Sequence, residues 1–163
     1  MSNRVETELL NEADWPRLRQ IRLAALKSDP LAFLHTYQSE LQFDERRWRD
    51  EFSRGSWTVL LEQGQMIGLL GATREPETPP DTCYLEYMWV VPEFRRAGNA
   101  AALVTSVLDE VKRDGIATVL LWVLDRNDTA ARLYTRLGFA FTGKKQPLPD
   151  NPARNENLMQ LFL

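Results

Sequence analysis

One continuous run constrains this chain more than any other. An apolar strand feeds a basic, glycine-containing turn, and the turn feeds an amphipathic helix. Alternation predicts a strand over Thr82 to Val91, with Leu85, Tyr87, Trp89 and Val91 on one face and Glu86, Met88 and Val90 on the other. From about Arg96 to Arg113, the residues Ala100, Leu103, Val104, Val107, Leu108 and Val111 recur at helical spacing, and Asp114-Gly115 stops the helix. Val119 to Leu124 is apolar throughout, as expected of a strand covered on both faces. Strand, helix and strand in that order form a right-handed crossover between parallel strands, which sets the class as α/β.

The turn between strand and helix has a chemistry of its own. The first turn of a helix has unpaired N–H donors, and its dipole is positive there, so it favours an anion, most often phosphate. Arg95 and Arg96 add positive charge at the same place, Gly98 lets backbone come close to a ligand, and Ala100 keeps the next position small. The same pattern also occurs where nothing binds.

The remaining elements fit around this unit. Val5 to Leu10 alternates weakly as a first strand. Asp14 and Pro16 open a helix carrying Trp15, Leu18, Ile21, Ala25 and Leu26, which ends at Ser28-Asp29-Pro30. Phe33 to Tyr37 reads as a connection, and Asp44 caps a second helix with Trp48 and Phe52 on one face. Two strands flank Gln63-Gly64-Gln65 as a hairpin, and a proline-rich loop covers Glu75 to Asp81. A helix from about Asp128 to Leu137 buries Ala130, Leu133, Tyr134 and Leu137. Ala140 to Gly143 reads as a short strand, Lys144 to Asn155 as a polar loop and Leu158 to Leu163 as a closing strand.

Composition excludes several classes of function. The 163 residues fit one domain, 1–163, without repeats or linkers. A net charge of -3 argues against a general nucleic-acid binder. Cys83 is the only cysteine and His35 the only histidine, so a disulfide, a cysteine zinc site and a histidine-rich metal centre are all excluded. Met1 to Glu8 lacks the apolar run of a signal peptide and no stretch is long enough to span a membrane, so a cytoplasmic protein without a membrane partner is expected. The oligomeric state stays open, a homodimer included.

Two segments carry a resemblance. The first is Val90-Val91-Pro92 with Arg95-Arg96-Ala97-Gly98-Asn99-Ala100. The second is Asn127-Asp128-Thr129-Ala130-Ala131-Arg132-Leu133-Tyr134-Thr135-Arg136-Leu137-Gly138-Phe139. The first resembles the acyl-CoA motif Gln/Arg-x-x-Gly-x-Gly/Ala of the GNAT superfamily of acetyl-CoA-dependent N-acetyltransferases. The second resembles its later motif, Asn-x-x-Ala-x-x-Leu-Tyr-x-x-x-Gly-Phe. Arg22-Leu23-Ala24-Ala25-Leu26 and Ala32-Phe33 are similar to many members as well, so the resemblance covers nearly the whole chain. Where many members have glycine, this chain has Arg96 and Ala100.

The resemblance implies a mixed, mostly antiparallel sheet that splays between two parallel central strands, with the pantetheine arm of acetyl-CoA in the gap. Backbone of Met88, Trp89 and Val90 would pair with the arm, and the N–H groups of Arg96, Ala97, Gly98, Asn99, Ala100 and Ala101 would hold the pyrophosphate, with Arg95 at the head of the motif. Asn127 would contact the arm, or serve only as a helix cap. Tyr134 would be the general acid near the sulfur, protonated at neutral pH because a phenol's ordinary pKa of about 10 exceeds that of a thiol; it also lies on an apolar stripe where it would simply pack. Glu86 is the candidate base, set against an ordinary solvated or salt-bridged carboxylate. A backbone N–H near Val90 would serve the oxyanion. His35, Phe33, Tyr37 and Trp89 either border the acceptor or belong to surface and core. Cys83, with no cation beside it in sequence, is a poor nucleophile. The expected reaction is direct attack of a small-molecule primary amine on acetyl-CoA with no metal; the alternatives are a protein N-terminus or lysine as acceptor, and a non-catalytic acyl-CoA sensor or subunit.

Overall fold

Seven strands form one sheet in the order β1–β2–β3–β4–β5–β7–β6. They are β1 Val5–Leu9, β2 Gly55–Glu62, β3 Gln65–Thr73, β4 Thr82–Val90, β5 Thr118–Leu124, β6 Ala140–Leu148 and β7 Asn151–Phe162. The helices are α1 Trp15–Ser28, α2 Tyr37–Leu41, α3 Glu45–Arg54, α4 Asn99–Arg113 and α5 Asp128–Arg136. The computed structural model describes residues 4–163. Met1, Ser2 and Asn3, within the segment read for a signal peptide, lie outside the described residues. Neighbouring strands are antiparallel except β4 and β5, which run parallel because α4 carries the chain back between them. One core cluster joins α4 and α5 to the sheet through Leu103, Val107, Val119, Leu121 and Tyr134. A second, around Leu18, Trp48, Trp57 and Tyr87, joins α1 and α3 to it.

The two parallel strands part company early. They pair at Thr82–Thr118, Cys83–Val119 and Tyr84–Leu120. Beyond these residues β4 stays with β3 as far as Val90, whereas β5 stays with β7 as far as Leu124. A wedge therefore opens toward the carboxyl ends of both strands.

A β-bulge reshapes the wall of this wedge. β3 pairs Gly71 with Glu86 but Leu69 with Trp89, so Leu70 faces both Tyr87 and Met88. Tyr87 takes the left-handed φ of 58° that the extra residue needs. The bulge breaks the expected alternation: Leu85 faces the α4 side, while Tyr87 and Trp89 face α1 and α3.

Other expectations shift for local reasons. α4 begins at Asn99 rather than Arg96, because Arg96 (φ 66°) and Gly98 (φ 78°) are left-handed and cannot extend a right-handed helix. The Asp14 carboxylate does not cap α1; it accepts from the Asn11 N–H at 3.0 Å and closes the short turn before the helix. The expected connection up to Tyr37 runs into α2, started by Thr36 capping Ser39. β5 is sealed only on the Val119, Leu121 and Val123 face, and its other face is half-buried. The polar loop expected over Lys144 to Asn155 is mostly strand. β6 and β7 form a long hairpin, invisible to hydrophobic patterning because most of β6 is exposed on both faces.

Candidate active site

The turn before α4 presents a row of free donors. The Arg95 N–H returns to the Pro92 carbonyl at 3.3 Å, and the Ala102 N–H makes the first helical bond, to Gly98, at 3.0 Å. Between them, the N–H groups of Arg96, Ala97, Gly98, Asn99, Ala100 and Ala101 have no backbone acceptor among the described residues. The left-handed residues Arg96 and Gly98 curl this row into a concave nest, the form that binds anions. A Cβ at Gly98 would meet nothing within 4 Å, so glycine is needed there for its φ rather than for space. The buried Asn99 side chain donates to the Phe94 carbonyl at 2.9 Å and fixes the turn.

The strand wall follows from the register. The Val91 N–H bonds to the Ile67 carbonyl at 2.8 Å, making that pair hydrogen-bonded. By antiparallel alternation the next pair, Val90 with Gly68, is not, so the Val90 N–H and C=O point away from β3 into the wedge. Of the expected pairing edge of Met88, Trp89 and Val90, Trp89 turns its backbone groups back to β3 and Val90 offers its own to the wedge. Met88 packs its side chain against the α4 core. The Arg95 guanidinium is engaged elsewhere: Nε donates to the Val90 carbonyl at 2.8 Å and one Nη to Asp29 at 2.7 Å.

The opposite wall is built by β5 and α5. Asn127 follows β5 and accepts from the Ala130 N–H at 3.2 Å, so its capping role is realised. Tyr134 is buried one and a half turns into α5, edge-on to Phe139 at 5.6 Å. Burial raises its phenol well above the ordinary value, with no charged or hydrogen-bonding side chain beside the hydroxyl among the described residues. The proton therefore stays on the oxygen at neutral pH.

Because Glu86 stands next to the bulge, it shares the α1/α3 side with Tyr87. One of its oxygens is sealed from solvent without a hydrogen bond, 3.2 Å from an Arg54 nitrogen but outside bonding angles. Burial pushes the Glu86 carboxyl up, against the lesser pull of Arg54 and Arg22. Below it lies a buried charge cluster that sequence reasoning missed. Arg22 grips Glu40 through two nitrogens at 2.9 and 2.7 Å and Glu51 through a third at 2.5 Å. Its guanidinium stacks 4.1 Å from the Tyr87 ring centre, and Tyr87 donates its hydroxyl to Glu40. Phe33 and His35 stack on the Tyr87 ring as well, at 5.6 and 6.2 Å. The signal was present: Arg22 sits on the buried stripe of its helix, where an arginine needs partners.

Cys83 is buried, and its thiol is pushed up to about 11 by that burial, so it is no nucleophile at neutral pH. Among the described residues no three acidic, histidine or cysteine side chains cluster as metal ligands, and no helix is long and apolar enough to cross a membrane.

A family model described as the Acetyltransferase (GNAT) family matches residues 15–139. The [ribosomal protein bS18]-alanine N-acetyltransferase of Haemophilus ducreyi is 33% identical over 90 residues, 53% of this chain and 62% of that protein, so the match spans less than two thirds of the relative. Among solved structures, Salmonella typhimurium yncA with its cofactor acetyl-CoA superposes with a TM-score of 0.77 at 20% identity, covering 98% of this chain and 94% of that one. The ribosomal-protein-S18-alanine N-acetyltransferase of Escherichia coli gives a TM-score of 0.70 at 22% identity, over 98% and 94%. At such identities the structural likeness concerns the fold.

Proposed function

Because the chain belongs to the GNAT acetyltransferase family, we propose that it transfers the acetyl group of acetyl-CoA to a primary amine by direct attack, with no covalent enzyme intermediate. The observation that carries this reading is the row of unpartnered N–H groups from Arg96 to Ala101 at the wide end of the wedge. An anionic diphosphate fits that nest, and an extended arm fits the wedge between β4 and β5.

The cosubstrate supplies an activated thioester; the chain supplies the rest. The Val90 N–H, fixed in the strand and aimed into the wedge, donates to the oxyanion that develops on the acetyl carbonyl. Tyr134 keeps its proton and hands it to the departing sulfur. Glu86, whose burial raises its proton affinity, takes the proton lost by the attacking amine, directly or through a water. Asn127 holds the start of α5 and so the placement of Tyr134.

The acceptor we put first is a small molecule with a primary amine. One observation favours a second reading, a protein N-terminus: the Haemophilus ducreyi relative is named for ribosomal-protein alanine acetylation. Thiol release from acetyl-CoA, measured over a panel of amino acids, polyamines and peptides with N-terminal alanine, tests both. Tyr134→Phe is expected to lower turnover about a hundredfold, the worth of a general acid, while acetyl-CoA affinity is unchanged. Undiminished turnover would remove Tyr134 from the mechanism. Binding without thiol release on any acceptor would leave an acyl-CoA sensor instead.

A further inference from the structure

The Asp29 carboxylate, at the end of α1, ties three elements together through one oxygen. Its Oδ2 accepts from Trp89 Nε1 at 2.7 Å, from an Arg95 Nη at 2.7 Å and from the Ser28 hydroxyl at 3.0 Å. Burial alone would push this carboxyl up; the hydrogen bonds from Trp89, Arg95 and Ser28 outweigh it and hold the group below its ordinary range, so it is ionised at neutral pH. The same Arg95 guanidinium then reaches Val90, donating from Nε to a β4 carbonyl that faces the wedge. Arg95 thus lies across the mouth of the wedge with Asp29 anchoring it. Both side chains are partly open to solvent, Arg95 at 43% and Asp29 at 30%, so the bridge can exchange partners.

From this we infer that the Asp29–Arg95 pair gates the Val90 carbonyl: Arg95 occupies the acceptor that an amide N–H of the cofactor arm would use, and Asp29 sets how firmly it does so. The inference rests on the wedge being the seat of that arm. Arg95 is then a competitor of the arm rather than a ligand of the pyrophosphate, contrary to the expectation from the basic turn. The exchange breaks one hydrogen bond to Val90 and forms another, with no proton transferred. Since Asp29 also holds the Trp89 indole, displacement of Arg95 loosens one of the ties between α1 and β4.

Calorimetric titration of the wild type, Arg95→Met and Asp29→Asn with two ligands decides the matter. One ligand is acetyl-CoA; the other is its phosphorylated adenosine diphosphate half, which has the diphosphate but no arm. Both variants are expected to bind acetyl-CoA roughly three- to tenfold more tightly, about the worth of one hydrogen bond, and to bind the armless half as the wild type does. Asp29→Asn retains Arg95 and so separates the gate from any effect of shortening the side chain. Weaker binding of both ligands to Arg95→Met would make Arg95 a phosphate ligand and overturn the gate. Unchanged acetyl-CoA affinity in both variants would overturn it too, because the arm and Arg95 would then share the carbonyl. A wild type that binds no acetyl-CoA sinks the proposed function itself, an outcome distinct from either of these.

Discussion

Glu86 is held in a setting that penalises its charge. One oxygen is sealed without a hydrogen bond, and burial raises the carboxyl despite Arg54 at 3.2 Å. A carboxyl raised by folding contributes stability that is complete below its unfolded pKa and is lost as pH rises through the folded value. Glu86→Gln imitates the protonated form at every pH. Thermal unfolding should therefore show the variant more stable than the wild type near pH 7, with the difference shrinking as pH falls through the raised folded value and gone below the ordinary glutamate value of about 4.3. A variant less stable at pH 7 would mean that the Arg54 ion pair, not desolvation, dominates at this residue. Asp29 and Glu51 have the opposite sign. Burial opposes their ionisation, but hydrogen bonds from Trp89 and Arg95 at Asp29, and the charge of Arg22 at Glu51, outweigh it. The stability they contribute at neutral pH is lost as pH falls.

At the scale of elements, Arg22 is the clasp of α1, α2 and α3. It pairs with Glu40 on α2 and Glu51 on α3 while lying between the rings of Trp48, Trp57 and Tyr87. Removing one partner of a buried ion pair strands the other charge, which costs about 3–5 kcal/mol. Arg22→Ala should accordingly lower the unfolding midpoint by roughly 10 °C. Arg22→Lys should recover only part of that loss, since a point charge cannot bridge both carboxylates as a planar fork does. A midpoint within about 2 °C of the wild type would show that the cluster is stabilised by its aromatic packing alone. This cluster also marks the limit of reading from sequence. Glu40 and Glu51 lie on short polar helices, and only the tertiary contact with Arg22 explains their burial. The β6–β7 hairpin escaped for a related reason, its exposed residues leaving no periodicity. β4, α4 and α5 were legible because their buried faces repeat at the period of the element, β5 because it is one apolar run, and β2 and β3 because a glycine turn separates two apolar runs; the nest could be expected because Gly98 follows two arginines at a strand-to-helix junction. The bulge at Tyr87 was not legible: alternation runs through it unbroken in the sequence, and only pairing with β3 inserts the extra residue.

Across the whole molecule, every part of the proposed reaction depends on the splay of β4 from β5. Three paired positions hold the strands together at one end, and antiparallel partners draw them apart at the other. The wedge places the Val90 N–H, the Arg96–Ala101 nest and the start of α5 at the carboxyl ends of two parallel strands, the usual place for a ligand in such sheets. Thermal unfolding with acetyl-CoA, against ATP as a control, addresses that arrangement without knowledge of the acceptor. A ligand at about 100 times its dissociation constant adds roughly 2.7 kcal/mol. The account predicts a midpoint raised by roughly 5–10 °C with acetyl-CoA and little changed with ATP. An unchanged midpoint at saturating acetyl-CoA would contradict it, because the nest and the wedge would then form no working cofactor site.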